Sequence, residues 1–167
     1  MKTLITVTLM ILFMSCQNNT DDANKIQTDS KTKFFQEINE LEEFKDFERG
    51  AGASIDQYFS IGLYGNIKKE NIYLVAFKKV KFENGQVRYQ IIDTLLMDNL
   101  EPNHYIGIGD CRINGRVDKE IIVIYEDEDD VEFYTKIKKA WRADRGLMKI
   151  VEIDTTKIDF INEGYGA

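Results

Sequence analysis

The chain has 167 residues and a net charge of −7, from 22 basic and 29 acidic side chains. This acidity argues against nucleic acid or an anionic membrane surface as a partner, because surfaces that bind phosphates are usually basic. No internal repeat of roughly 20 to 50 residues is visible, which argues against a solenoid or a propeller.

Residues 1–15 have the pattern of a signal peptide. Lys2 provides a positive start, and an apolar run from Leu4 to Phe13 is interrupted only by threonines. A membrane-spanning helix needs about 20 apolar residues, whereas the core of a signal peptide needs about 7 to 15. The run therefore predicts export.

The apolar run ends at Phe13-Met14-Ser15-Cys16, which resembles the lipobox of bacterial lipoproteins. The resemblance implies cleavage before Cys16 and attachment of fatty acids, including palmitate, to that cysteine. The lipid would anchor the protein in the bacterial cell envelope, facing the periplasm or the cell surface. Two alternatives stay open: an ordinary secretory signal in which Cys16 is incidental, or a buried N-terminal strand of a cytosolic protein.

Residues 16–32 predict a flexible tether, because Ile26 is their only large apolar side chain and such segments bury too little to offset ordering entropy. Asp21-Asp22 resembles the acidic surface-export signals of Bacteroidota lipoproteins, although a solvated tether explains the same residues. If Cys16 carries lipid, Cys111 is the only other thiol, so the exported chain has no internal disulfide.

Residues 33–167 predict one domain of the α+β class. It would begin with an amphipathic helix that ends at Gly50-Ala51-Gly52 and packs on a sheet. The alternative is a helix that binds a partner. Its apolar stripe recurs at intervals of three and four residues: Phe34, Ile38, Leu41, Phe44 and Phe47.

After the helix the apolar period falls to about two, which indicates strands of a mostly antiparallel sheet. Asn84-Gly85 predicts a two-residue hairpin turn, with Phe82 opposite Val87 and Val80 opposite Tyr89. A second turn is predicted at Asp144-Arg145-Gly146. The predicted strands are residues 55–64, 71–82, 86–96, 104–109, 119–126, 131–143 and 148–154.

One loop resembles the calcium-binding loop of integrin-type propeller repeats, through Asp110, Asn114, Gly115 and Asp118 ahead of an apolar strand. The resemblance implies a calcium site with Asp110, Asn114 and Asp118 as oxygen ligands. Arg112 occupies one ligand position, and the pattern occurs once. The alternative is a turn at Asn114-Gly115 whose aspartates accept backbone hydrogen bonds.

Residues 126–130 are five consecutive acids, and the next predicted strand carries several lysines and arginines. We expect a solvated loop whose acids pair with the bases of the same hairpin. A calcium ion or a basic partner at these acids is the alternative.

Catalytic signals are sparse. His104 is the only histidine, no nucleophile elbow, zinc or phosphate-loop motif is visible, and Cys111 is expected to be a small buried side chain. The sequence therefore predicts a non-catalytic envelope binding domain for a protein or a ligand, with no cofactor other than calcium. The alternatives are an immunity-type inhibitor of an envelope toxin and a small hydrolase that uses carboxylates or calcium.

Overall fold

The computed structural model describes residues 29–166, which form three stacked four-stranded sheets. The strand orders are β1-β2-β3-β4, β11-β10-β8-β5 and β7-β6-β12-β9, and every strand pairing is antiparallel. The strands are β1 Phe47–Ser54, β2 Phe59–Asn66, β3 Tyr73–Glu83, β4 Gln86–Met97, β5 His104–Ile108, β6 Cys111–Ile113, β7 Arg116–Val117, β8 Ile121–Glu126, β9 Phe133–Tyr134, β10 Ile137–Asp144, β11 Lys149–Ile153 and β12 Ile158–Ile161.

The second sheet lies between the other two. Phe77 of the first sheet shares a buried cluster with Ile122 and Trp141 of the second. Val123 points to the opposite face and packs with Ile158 of the third sheet. Because β8 is buried on both faces, its sequence is a continuous apolar run rather than an alternating one.

The predicted N-terminal amphipathic helix is wrong, and so is the α+β class: the described chain is mostly antiparallel sheet. Residues 38–40 and 42–44 form two 3-10 turns, separated by Leu41 in an extended conformation. A third turn spans Asp29–Thr32. Nevertheless, this segment buries apolar side chains against the outer face of the first sheet.

The spacing of those buried side chains explains the error. They recur at every third position: Phe35, Ile38, Leu41, Phe44 and Phe47. A 3-10 turn has three residues per turn, so side chains three positions apart lie on the same face. In an α-helix, with 3.6 residues per turn, side chains at this spacing would spread around the helix axis. Phe34, which the predicted stripe included, is 43% exposed.

All seven predicted strands overlap observed ones. The Asn84-Gly85 turn is confirmed, with φ of 52° and 76°, and so is the predicted pairing of Phe82 with Val87 and of Val80 with Tyr89. The turn after Asp144 is confirmed as well. Residues 50–52, predicted to end the helix, instead lie in β1 beside a bulge.

Candidate functional site

The sequence-predicted calcium loop is a tight hairpin between β6 and β7. Asn114 and Gly115 have φ of 52° and 74°, which suits a two-residue turn that requires positive φ at both positions. The hairpin borders a depression of about 450 Å³ that includes Asp118. This geometry matches the alternative that the sequence left open, a turn set by Asn114-Gly115.

Asp118 is occupied by protein donors. One carboxylate oxygen accepts the Glu120 backbone N–H at 3.1 Å, and the other accepts Arg142 Nη2 at 2.8 Å. Asp110 accepts the Ile161 backbone N–H through its main-chain carbonyl at 3.1 Å. Within residues 29–166 no group of three or more His, Cys, Asp or Glu side chains is arranged to hold a metal. Calcium at Asp110, Asn114 and Asp118 stays a prediction, and at Asp118 the ion would compete with Arg142 for the carboxylate.

Three further basic residues near these loops, Arg112, Lys136 and Lys138, are paired with acids. Arg112, which occupies a ligand position of the calcium-loop pattern, donates hydrogen bonds to both carboxylate oxygens of Asp159 at 2.6 and 2.9 Å. In the acidic run, Glu126 pairs with Lys138 at 2.6 Å and with Lys136 at 3.6 Å. The predicted pairing of the acidic run with its own hairpin is therefore confirmed for Glu126 and Glu128.

Among the described residues, neither His104 nor Cys111 forms a hydrogen-bonded pair of a nucleophile and a base. Cys111 is fully buried as predicted, and burial, followed by nearby carboxylates, raises the pKa of its thiol. A thiol in that state is a poor nucleophile. His104 places Nδ1 3.2 Å from the Pro102 carbonyl oxygen, so its contact is local.

The structure contains a candidate site that the sequence did not predict, a groove on the outer face of the first sheet. The N-terminal segment covers one end of this face and leaves a groove of about 370 Å³ at the other. We call it the Lys78 groove, and its lining includes Arg49, Gly52, Ser60, Lys78, Phe82 and Tyr89. One acid also lines it, Asp56, whose carboxylate is paired with Arg145 at 2.8 Å.

Lys78 is a buried cation, only 5% exposed. Its Nζ donates a hydrogen bond to the Tyr64 hydroxyl at 2.7 Å and lies 4.2 Å from the centre of the Tyr89 ring. Among the described residues, no carboxylate forms an ion pair with it. The aromatic rings therefore provide its main electrostatic support.

Burial and a second cation perturb this amine. Burial lowers the pKa of Lys78 to about 8, the positive charge of Arg49 lowers it further, and Glu37 acts in the opposite direction. Because the effect of burial is larger than that of Glu37, the surroundings compensate the positive charge of the ammonium only in part. An anion that enters the groove would therefore stabilise this charge.

The groove also contains an unused hydroxyl and a required glycine. Ser60 is the cross-strand partner of Lys78, and its buried Oγ has no hydrogen-bond partner within the described part of the chain. A Cβ added at Gly62 would lie 2.8 Å from Lys78 Nζ and 2.7 Å from the Tyr64 hydroxyl. Glycine at this position therefore leaves the room that the lysine needs.

A weak sequence signal for this site exists. Leu74, Ala76 and Lys78 alternate along β3, so they share one face of the strand. The first two are fully buried, which indicates that the lysine in phase with them points toward the core side.

No family model, no curated protein and no solved structure matches the chain. Across residues 29–166, no helix is both long and apolar enough to cross a membrane. Cys16 and the predicted signal peptide lie outside the described residues.

Proposed function

We propose that the chain is an envelope lipoprotein, anchored through Cys16, whose β-domain binds a small carboxylate ligand in the Lys78 groove without catalysis. The observation that carries the proposal is the buried Lys78 ammonium, which lines a groove and has no carboxylate partner among the described residues. Isolated buried charges are unfavourable, and groups with perturbed pKa values in clefts are frequent at functional sites.

The groove offers matching contacts for such a ligand. A carboxylate beside Lys78 would accept from its ammonium and from the unpartnered Ser60 hydroxyl, with Arg49 at the groove as a second cation. The Tyr89 ring provides an apolar wall for the ligand body. The volume lies near the lower end for small-molecule sites.

The binding proposal is tested with benzoate, which combines a carboxylate with a flat apolar ring. We expect benzoate to shift the backbone amide resonances of Gly52, Ser60 and Gly62. Lys78→Gln should weaken binding by about tenfold to a hundredfold, as expected when a charged hydrogen bond is lost. The affinity should also fall as the pH rises through the pKa of Lys78, because the neutral amine attracts a carboxylate less.

The matched control is Lys139→Gln, at an exposed lysine of β10, which should bind benzoate like the wild type. Benzylamine, with the same ring and the opposite charge, should not bind. The proposal fails if benzoate leaves the groove resonances unchanged, or if Lys78→Gln and Lys139→Gln bind it equally well.

The anchor is tested by intact mass and fractionation of the native protein. We expect a diacylated chain that begins at Cys16 in the membrane fraction, and a Cys16→Ser variant that is released or left uncleaved. An unmodified chain that starts at Met1 in the soluble fraction would contradict the anchor.

A further inference from the structure

Beside the β3–β4 hairpin the surface exposes three aromatic side chains, one each from β3, the β1–β2 connection and the N-terminal segment. Phe82 is 68% exposed, Tyr58 57% and Phe34 43%. These three border one depression together with Lys79 and Lys81. We call these five residues the hairpin tip. Exposed apolar patches that are rimmed by polar residues often mark sites that contact a protein or a membrane.

The hairpin tip is basic although the molecule is acidic. Lys79 and Lys81 are both exposed, and Arg88 is paired with Lys81 across the hairpin. Lys81 Nζ lies 5.0 Å from the Phe34 ring centre and 2.9 Å from Glu83, the nearby acid. The net charge of −7 argues against an anionic surface as a partner for the molecule as a whole, but screening limits each charge to about 8 to 10 Å, so the basic tip decides the interaction of the surface nearest to it.

The N-terminal part of the chain joins the domain on the same hairpin. Gln90 of β4 donates a side-chain hydrogen bond to the Lys31 carbonyl at 2.6 Å, and Phe35 exchanges backbone hydrogen bonds with Tyr89 of the same strand. Residues 17–28 are the twelve residues between the proposed lipid and the described chain. A chain of this length averages about 20 Å end to end as a coil and reaches about 40 Å when extended.

We propose that the hairpin tip docks on an anionic phospholipid bilayer, as a second membrane contact beside the lipid on Cys16. The lysines would contact acidic headgroups, the aromatic rings would enter the interfacial region, and the acidic body would point away from the membrane. A lipid on Cys16 brings this end of the domain within reach of the headgroups. The inference uses the proposed anchor for proximity, but its test does not need the lipid.

The test uses the chain from residue 16 onward with Cys16→Ser, which keeps every described residue and carries no lipid. Co-sedimentation is measured at low salt with phosphatidylcholine vesicles, with and without phosphatidylglycerol. We expect binding to the anionic vesicles only, with release at high salt. The double variant Lys79→Glu/Lys81→Glu should reduce binding by more than about tenfold, because each reversed charge changes attraction into repulsion.

Tyr58→Ser tests the aromatic contribution and should also weaken binding; Phe82 is left in place because it also lines the Lys78 groove. The matched control is Leu147→Ser/Lys149→Glu, at an exposed turn on the second sheet, which should bind like the parent chain. Absence of vesicle binding, or equal losses in tip and control variants, would overturn the proposal.

Sedimentation velocity tests whether a second copy of the chain, rather than a membrane, covers the hairpin tip. If the parent chain dimerises and Lys79→Glu/Lys81→Glu makes it monomeric, the tip belongs to a contact between two copies and the membrane proposal is overturned. Benzoate binding is measured on the same variants. If it is retained while vesicle binding is absent, this inference fails and the ligand-binding proposal is unaffected.

Discussion

Replacing Lys78 with methionine should increase the free energy of unfolding at pH 7 by about 1 to 3 kcal/mol while it weakens benzoate binding at least as much as Lys78→Gln does. The fall in the pKa of Lys78 from 10.5 to about 8 corresponds to roughly 3 kcal/mol of unfavourable burial for the charged amine. Methionine has a similar length and no charge. Part of the gain is offset because Tyr64 loses its hydrogen-bond partner, a loss of about 1 kcal/mol.

The pH dependence of this gain has a definite sign. Below about pH 8 the amine is charged in both the folded and the unfolded chain, so the cost of burial is fully present. Between about pH 8 and 10.5 the unfolded chain binds more protons than the folded one, and the stability of the wild type rises relative to the variant. The advantage of Lys78→Met should therefore shrink as the pH increases through this window.

Urea unfolding of the wild type and Lys78→Met at pH 7 and near pH 10 measures both effects. Lys139→Met is the control, since an exposed lysine should change stability by less than about 0.5 kcal/mol at either pH. If Lys78→Met is less stable than the wild type at pH 7, Lys78 stabilises the folded state instead of destabilising it. That result would remove the main physical reason to assign the lysine to ligand binding.

If Lys78→Met stabilises the protein as expected, the presence of the lysine needs a reason outside folding. Ala76, two positions earlier on the same face, is fully buried and apolar, so the sheet offers a place for an apolar side chain at Lys78 as well. Sites where local rules of burial are broken are often functional. The unpartnered Ser60 hydroxyl directly across the strand pair is a second such exception at the same place.

Much of the β-structure could be predicted from the sequence because its signals are local. Asn84-Gly85 fixes the type of turn, and the turn then fixes which residues of β3 and β4 face each other. The apolar pattern of β8 is equally local, since Ile121, Ile122 and Val123 are consecutive and all fully buried. Its position between two other sheets could not be predicted, because one strand does not specify its neighbours.

The failures arise where tertiary contacts override local preference. β1 contains Gly50-Ala51-Gly52, a weak strand sequence that is ordered by pairing with β2 and was predicted to end a helix. β12 has only four residues and is held between β6 and β9. Neither β6 nor β9 is close to β12 in sequence, so the sequence of β12 alone did not predict a strand.

The candidate site was missed for a related reason. Whether Lys78 lines a groove depends on where the N-terminal segment stops covering the sheet, which no local motif encodes. At the predicted calcium loop, too, a long-range contact was not visible from the sequence. Asp110 to Asp118 follow a local pattern, but the Asp118 carboxylate is bound by Arg142, from a strand 24 residues away in sequence.

The N-terminal segment provides the last prediction, a comparison of Phe35→Ala with Phe34→Ala. Phe35 is 1% exposed and belongs to the buried cluster on the first sheet, so its loss should cost about 3 to 5 kcal/mol through the cavity that it leaves. Phe34 is 43% exposed, and its contact with Lys81 contributes at most about 1 kcal/mol.

Urea unfolding of the two single variants decides between the observed turns and an amphipathic helix. A helix with the predicted stripe would bury Phe34, and Phe34→Ala would then be the more damaging change. The 3-10 turns bury every third residue from Phe35 and require the reverse order. Because the two substitutions are chemically identical and adjacent in the chain, effects on the unfolded state nearly cancel, and the difference reports which ring lies in the core.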